Sequence, residues 1–261
     1  MINFDWVDID LTNAISNFNL TSILQVCYDS PNPPADTCNR FVRGTAALDA
    51  SRRGQILTNG ESNGAGVTSI GPQAGFINAG YTNFQGFTLG IDYDVDLAEL
   101  SDMQDWLNGN PGRLVFELDM FHVNKQETSV TGLGFDLDDF KNEIGNADFR
   151  WQLESTYIRD PLSIIWTMNY IGESEFNNDF TPETRLPLTV DRYILHDLAF
   201  TYKLDGLSER FGLGLDQMKA RFVVRNVLDK EPPWGATNSA NAYGTYDFLG
   251  RYYQFGLTAR F

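Results

Sequence analysis

The sequence predicts an all-β fold: an antiparallel transmembrane β-barrel with about eight long strands and long outside loops. Three observations predict it. Apolar and polar residues alternate with a period of two in one segment after another, which gives each strand a greasy side and a wet side. The connections between these segments alternate between long and short. The last such segment, Gly250-Arg251-Tyr252-Tyr253-Gln254-Phe255-Gly256-Leu257-Thr258-Ala259-Arg260-Phe261, runs to the final residue with Tyr253, Phe255, Leu257, Ala259 and Phe261 on one side. A strand edge of that kind needs a partner, because an unpaired edge invites aggregation.

Composition is compatible with this fold and excludes others. The chain has 261 residues, of which 42% are hydrophobic and 13% aromatic, with 23 glycines to supply turns. It can bury a core or face lipid, and it is not a disordered acidic tail. No stretch approaches the roughly 18 apolar residues of a membrane helix. The mean hydropathy of −0.29 is no argument against a membrane location, since alternation halves the hydropathy of every barrel strand. A net charge of −16 excludes nucleic acid as a partner, because phosphate binding needs clustered Lys and Arg. Met1-Ile2-Asn3-Phe4-Asp5-Trp6 has neither a basic nor an apolar leader segment, so an exported chain with this start is expected to be the later part of something longer.

Taken in order, residues 2–10 form the first strand, with Ile2, Phe4 and Trp6 on one face. Between residues 11 and 26 Ile15, Phe18, Ile23 and Val26 fall closer to helical spacing, which predicts a short helix leading to Cys27. Cys27 and Cys38 are the two cysteines of the chain and flank a Pro- and Asn-rich loop. They read as a local disulfide formed in an oxidising compartment, or else as two free thiols of a cytosolic protein. Residues 41–75 are a long polar loop. Residues 76–97 form one long strand, in which Phe87, Leu89, Ile91, Tyr93, Val95 and Leu97 alternate with Thr88, Gly90, Asp92, Asp94 and Asp96. After a connection over residues 98–112, Leu114, Phe116, Leu118 and Met120 mark the next strand, followed by an acidic loop over residues 124–146. Two strands then flank a tight Arg159-Asp160-Pro161 turn, carrying Phe149, Trp151, Leu153 and Tyr157, then Leu162, Ile164, Trp166, Met168 and Tyr170. Strands over residues 193–202 and 218–227 precede a loop over residues 229–249 and the terminal strand. Counted back from the end, the long loops, the cysteine loop among them, fall on one side. A soluble β-sandwich alternates too, but the charge on the polar faces and the loop asymmetry favour a barrel.

The residues resemble a known family. Phe222-Val223-Val224-Arg225-Asn226-Val227-Leu228-Asp229-Lys230-Glu231-Pro232-Pro233, followed by Tyr246-Asp247-Phe248-Leu249-Gly250-Arg251 and the terminal strand, resembles the C-terminal end of a TonB-dependent outer-membrane receptor. Residues 4–15 with Cys27 and Cys38 resemble an internal strand and cysteine-bearing outside loop of these receptors, and residues 86–92 resemble the strand that follows. The resemblance implies that residues 1–261 are the C-terminal part of a barrel of about 22 strands, an incomplete barrel here, whose plug domain lies outside the chain. It implies uptake of a large scarce solute, such as a ferric siderophore or an oligosaccharide, at the bacterial outer membrane. The partners implied are outer-membrane lipid, the TonB complex through the missing N-terminal part, the barrel-assembly machinery and the solute. Gln254, Gly256 and Phe261 match the terminal assembly signal of the family, and Ala259 departs from it, since an aromatic residue is usual there.

No catalytic constellation or cofactor motif is apparent, and the chain is expected not to be an enzyme. Asp92, Asp94 and Asp96 alternate along a strand instead of forming a calcium loop, and the acidic stretch over residues 134–139 reads no better as a metal site. His122 and His196 have no nucleophile or orienting acid beside them in sequence. Trp234, Tyr243, Tyr246 and Phe248 are candidates for a ligand-facing outer loop, although interfacial anchoring explains such rings as well. The functional alternatives are a complete eight-stranded barrel with a structural or adhesive role and a glycan-binding β-sandwich.

Overall fold

The computed structural model describes residues 1–99, 110–132, 136–206, 210, 217–236, 239 and 241–260. The fold is all-β and antiparallel. In chain order its strands are β1 (Ile2–Phe18), β2 (Gly75–Asp96), β3 (Arg113–Ser129), β4 (Leu137–Asp139), β5 (Phe149–Arg159), β6 (Leu162–Ile171), β7 (Ser174–Glu175), β8 (Thr189–Val190), β9 (Tyr193–Lys203), β10 (Gln217–Arg225) and β11 (Tyr252–Arg260). The large sheet has the order β1-β2-β3-β5-β6-β9-β10-β11, with β4 added to β3, while β7 and β8 pair by themselves. Sequence neighbours are therefore sheet neighbours, as in a β-meander. Among the described residues β11 pairs with β10, from Gln217↔Arg260 to Arg225↔Tyr252, and β1 and β11 stand at the two ends of the order without pairing with each other.

Several elements differ from expectation, each for a local reason. β1 runs on to Phe18 instead of ending at Asp10. Its alternation is interrupted because Asn13 adopts φ +56°, a left-handed conformation that Asn tolerates better than most residues. Ile15 and Phe18 are thus strand residues, and the expected helix is α1 (Leu20–Tyr28), where the Asn19 side chain caps the Ser22 amide. β2 is one strand of 22 residues, as expected. β3 extends through Ser129, into residues expected to be loop, because β4 supplies partners such as Glu127↔Asp139. The carboxylate of Asp136 closes that hairpin, accepting from Ser129 Oγ and from the amides of Val130 and Thr131. β10 stops at Arg225, since Asn226 turns to φ +50°. The connections 19–74, 130–148, 172–192 and 226–251 are long, while 160–161 is a bare turn.

The chain divides into two compact units. The first comprises Met1–Val7, Gln85–Asn124 and Phe140–Phe261, and the second Asp8–Phe84 and Lys125–Asp139. The second unit has a core of Phe18, Ile23, Val26 and Phe41, with Leu24, Ile56, Ile77 and Val130 against it. Cys27 on α1 and Cys38 at the end of α2 (Ala35–Cys38) are joined by a disulfide, their Cα atoms 5.4 Å apart. The Arg43 guanidinium stands over the rings of Tyr28 and Phe41 at 4.9 and 5.4 Å. The loop over residues 41–75 carries its own order. Asn63 Oδ1 accepts from the amides of Ala65 and Val67, and the buried Ser69 hydroxyl bonds the Leu57 carbonyl.

Candidate functional site

The first unit presents a sheet with two unlike faces, and register places the residues of each. On the polar face Asp119, Gln152, Asn169 and Leu195 are consecutive cross-strand partners on β3, β5, β6 and β9. Phe121, Arg150 and Ile171 form the next row in the same way. These rows border a cavity of about 580 Å³ that also touches Asn3, Asp5, Thr88 and Gly90, and Thr245 of the last long loop. Arg150 lays its guanidinium over the Phe121 ring at 4.6 Å. A second cavity of about 330 Å³ lies on the same face, bordered by Glu154, Thr167, Asp197, Arg221 and Arg225.

The opposite face is apolar and its aromatic rings form a row. Phe4, Phe87, His122, Phe149 and Tyr170 follow one another from β1 to β6 with centroids 5.2–6.1 Å apart. Trp151 stacks on Tyr170 at 5.3 Å. His196 belongs to this face as well, stacked on Trp166, whose Nε1 donates to His196 Nδ1 at 3.3 Å. Both histidines are thus occupied by rings. Tyr157 and Tyr202 stand at the far end of the face, beside the 160–161 turn.

Three long connections of this unit share a core of their own. Ile144, Phe176, Val190, Tyr193, Ala236, Ala242 and Tyr246 are buried together, with Ile171, Leu195 and Phe248 packed against them. Apolar residues too sparse to show a period within any one loop meet here. Tyr246, one of the candidate ligand-facing aromatics, lies within this packing: it is 4% exposed, edge-on to Tyr193 at 5.3 Å, and burial holds its phenol above the ordinary tyrosine range. Phe248 leans on the same core and touches Tyr243 at 4.9 Å. Tyr243 and Trp234 are exposed, Trp234 at 80%.

The run Asn226-Val227-Leu228-Asp229-Lys230 and the pair Gly250-Arg251 meet in space. Asn226, fully buried, clamps its turn with bonds from Nδ2 to the Lys230 carbonyl and from the Lys230 amide to Oδ1. Asp229 accepts from the Arg251 amide at 2.9 Å and pairs with its guanidinium at 3.4 Å, which holds the Asp229 carboxyl below its usual range. Gly250 stands against Asp229 with φ +71°, so both its missing side chain and its conformation fit that contact. Asp197, which the sequence does not single out, completes the arrangement by accepting from Arg225 at 2.6 Å and from the Asn226 amide at 2.8 Å.

Gln254 and Gly256 are partnered by Val223 and Arg221 on β10, and Phe261 lies outside the described residues. Asp94 pairs with Arg113 and Asp96 caps the Ala98 amide, so these carboxylates serve the end of their own strand.

No family model and no curated protein sequence matches the chain. Among solved structures it is similar to the FrpB iron transporter from Neisseria meningitidis (F3-3 variant), with a TM-score of 0.51 and 14% identity. That likeness covers 98% of this chain, which spans 28% of the length of the other. At this identity it concerns the fold, and the fold is that of part of an antiparallel β-barrel wall.

Proposed function

We propose that the chain is the C-terminal wall of an outer-membrane active transporter of the TonB-dependent receptor kind, importing a large scarce solute such as a ferric siderophore or an oligosaccharide. The observation that carries the proposal is the contrast between the two faces. On β5 the apolar face runs from Phe149 to Tyr157, about 27 Å of strand. Tilted by about 40°, it covers roughly 20 Å, close to the lipid-facing band of outer-membrane strands. Rings bound it at both ends, as amphipathic side chains do at membrane interfaces. The opposite face is polar and would line the lumen, and the packed loops of the first unit would stand outside the cell; the Cys27–Cys38 disulfide of the second unit suits an oxidising compartment.

On this reading β1 and β11 pair with strands of the same polypeptide that lie outside residues 1–261, and a plug domain there receives energy from the TonB complex. Outer-membrane lipid and the barrel-assembly machinery, reading Gln254, Gly256 and Phe261, are the remaining partners. The test is uptake and location. The protein should sediment with outer membranes, and cells carrying it should accumulate its solute only while the inner membrane is energised. Recovery in the soluble fraction, or uptake indifferent to collapse of the proton gradient, would refute the reading. So would efficient disulfide trapping of Asp5→Cys with Gly256→Cys within one molecule, which would mean that eight strands close by themselves.

A further inference from the structure

We infer that the larger cavity on the polar face binds a neutral polyhydroxylated solute, a glycan, in preference to an anionic iron chelate; the inference rests on the transporter reading above. Its volume of about 580 Å³ is in the range of small-molecule sites, room for a short glycan segment. The chemistry of its wall decides the class. Asp119, Gln152 and Asn169 are adjacent partners on three strands, so their side chains repeat at about 5 Å along one row. A carboxylate offers acceptors alone, and an amide offers both a donor and an acceptor. A row that reads acceptor, donor–acceptor, donor–acceptor matches hydroxyl groups, each of which can donate and accept. An anionic chelate offers acceptors at its surface and needs donors or cations opposite.

Charge points the same way. Asp5 and Asp119 are the carboxylates of the wall, and Arg150 is its cation among the described residues. The guanidinium of Arg150 is already applied to the Phe121 ring. An anion entering this cavity would meet more negative than positive charge, whereas a neutral solute would not.

Gly90 supplies an independent observation. It sits in the middle of β2 without a left-handed φ, so the backbone does not require glycine there, and glycine weakens a strand. A Cβ at this position would stand 3.6 Å from Asp119 Oδ1 and 3.7 Å from Asn3 Nδ2. The missing side chain leaves the floor of the cavity open between two polar groups, as where another molecule approaches a strand closely.

The experiment uses the whole polypeptide that contains residues 1–261 together with the strands proposed to complete the barrel, purified in detergent micelles and checked for folding by heat-modifiable gel mobility. It is applied to an array of neutral and uronate-bearing glycans and titrated with ferric citrate and a ferric tris-catecholate. The expected result is binding to neutral glycans. Gly90→Phe, which fills the floor and removes no polar group, and Asp119→Asn, which keeps the shape, should each weaken it by about tenfold or more. Binding confined to the ferric chelates or to uronate glycans, no glycan binding at all, or neutral-glycan binding indifferent to Gly90→Phe would each overturn the inference. The two readings fail separately. Energised import of an anionic chelate by a protein in the outer membrane sinks the glycan assignment and leaves the transporter standing. Neutral-glycan binding by a protein found in the soluble fraction does the reverse.

Discussion

Replacing Tyr246 by alanine tests whether the long loops are a folded body in their own right. Its ring is buried among residues from three connections and meets Tyr193 edge-on. Truncating a buried aromatic residue costs about 3–5 kcal/mol. The edge-to-face pair accounts for about 1 kcal/mol of such a sum. The core it leaves is small, so the loss falls on the loops, and about 3 kcal/mol corresponds to roughly two orders of magnitude in their opening equilibrium. Hydrogen exchange of the folded protein reads this directly. The reporters are the amides of Ile144 bonded to Glu175, of Glu175 bonded to Asn142, and of Phe176 bonded to Leu188. They should exchange about a hundredfold faster in Tyr246→Ala, while amides in the β5–β6 pairing keep their protection. Tyr243→Ala, three residues away on the exposed side, should change neither set. Unchanged loop protection in Tyr246→Ala would show that the loops do not depend on this core, and equal loss in loops and strands would show that they are not a separate body.

Two more predictions concern other groups. In the second unit the Thr58 amide, donating at 2.7 Å, and the Arg52 guanidinium hold the carboxyl of Glu61 below its ordinary value. Because the folded value is the lower one, this stabilisation is present above the ordinary carboxylate range and is lost as pH falls through the folded value. Exchange of the Ser69 amide, which bonds the Glu61 carbonyl, should accelerate in acid beyond its intrinsic pH dependence, and Glu61→Gln should remove that excess; an excess that persists in Glu61→Gln assigns it to another group. In the first unit Asp197→Asn should destabilise the turn after β10 by about 1–3 kcal/mol, since the charged partner of Arg225 is lost from a site only 14% exposed. Exchange at the Lys230 amide checks it, and protection equal to the parent would mean that Asn226 holds the turn without Asp197.

How much of this was legible depends on whether a feature is local along the chain. β2 could be read because Phe87 to Val95 keep one period without interruption. β1 beyond Asp10 could not, since Asn13 turns the backbone and Ile15 and Phe18 then fall in line with Ile23 and Val26 at helical spacing. The last turns of β3 are polar on both sides and look like loop until the three residues of β4 pair with them. Tyr246 looked like a candidate for ligand contact because aromatic residues in a Gly- and Asn-rich loop carry no sign of burial; its partners Ile144 and Val190 lie on other loops. The candidate site was the least legible part. Asp119, Gln152 and Asn169 are each the ordinary polar member of an alternating pair, and only the register of three strands turns them into a row.

The loop core has a consequence for how this surface can change over time. The residues that hold the three connections together, Tyr193, Tyr246, Ile144 and Val190, are hidden, while Trp234, Tyr243, Leu186 and Leu249 project from the same segments. Substitutions at projecting positions cost a fold little, about half a kcal/mol either way. A surface built like this can be rewritten at the projecting positions and remain unaltered where it is held together, so drift in its appearance need not disturb its shape.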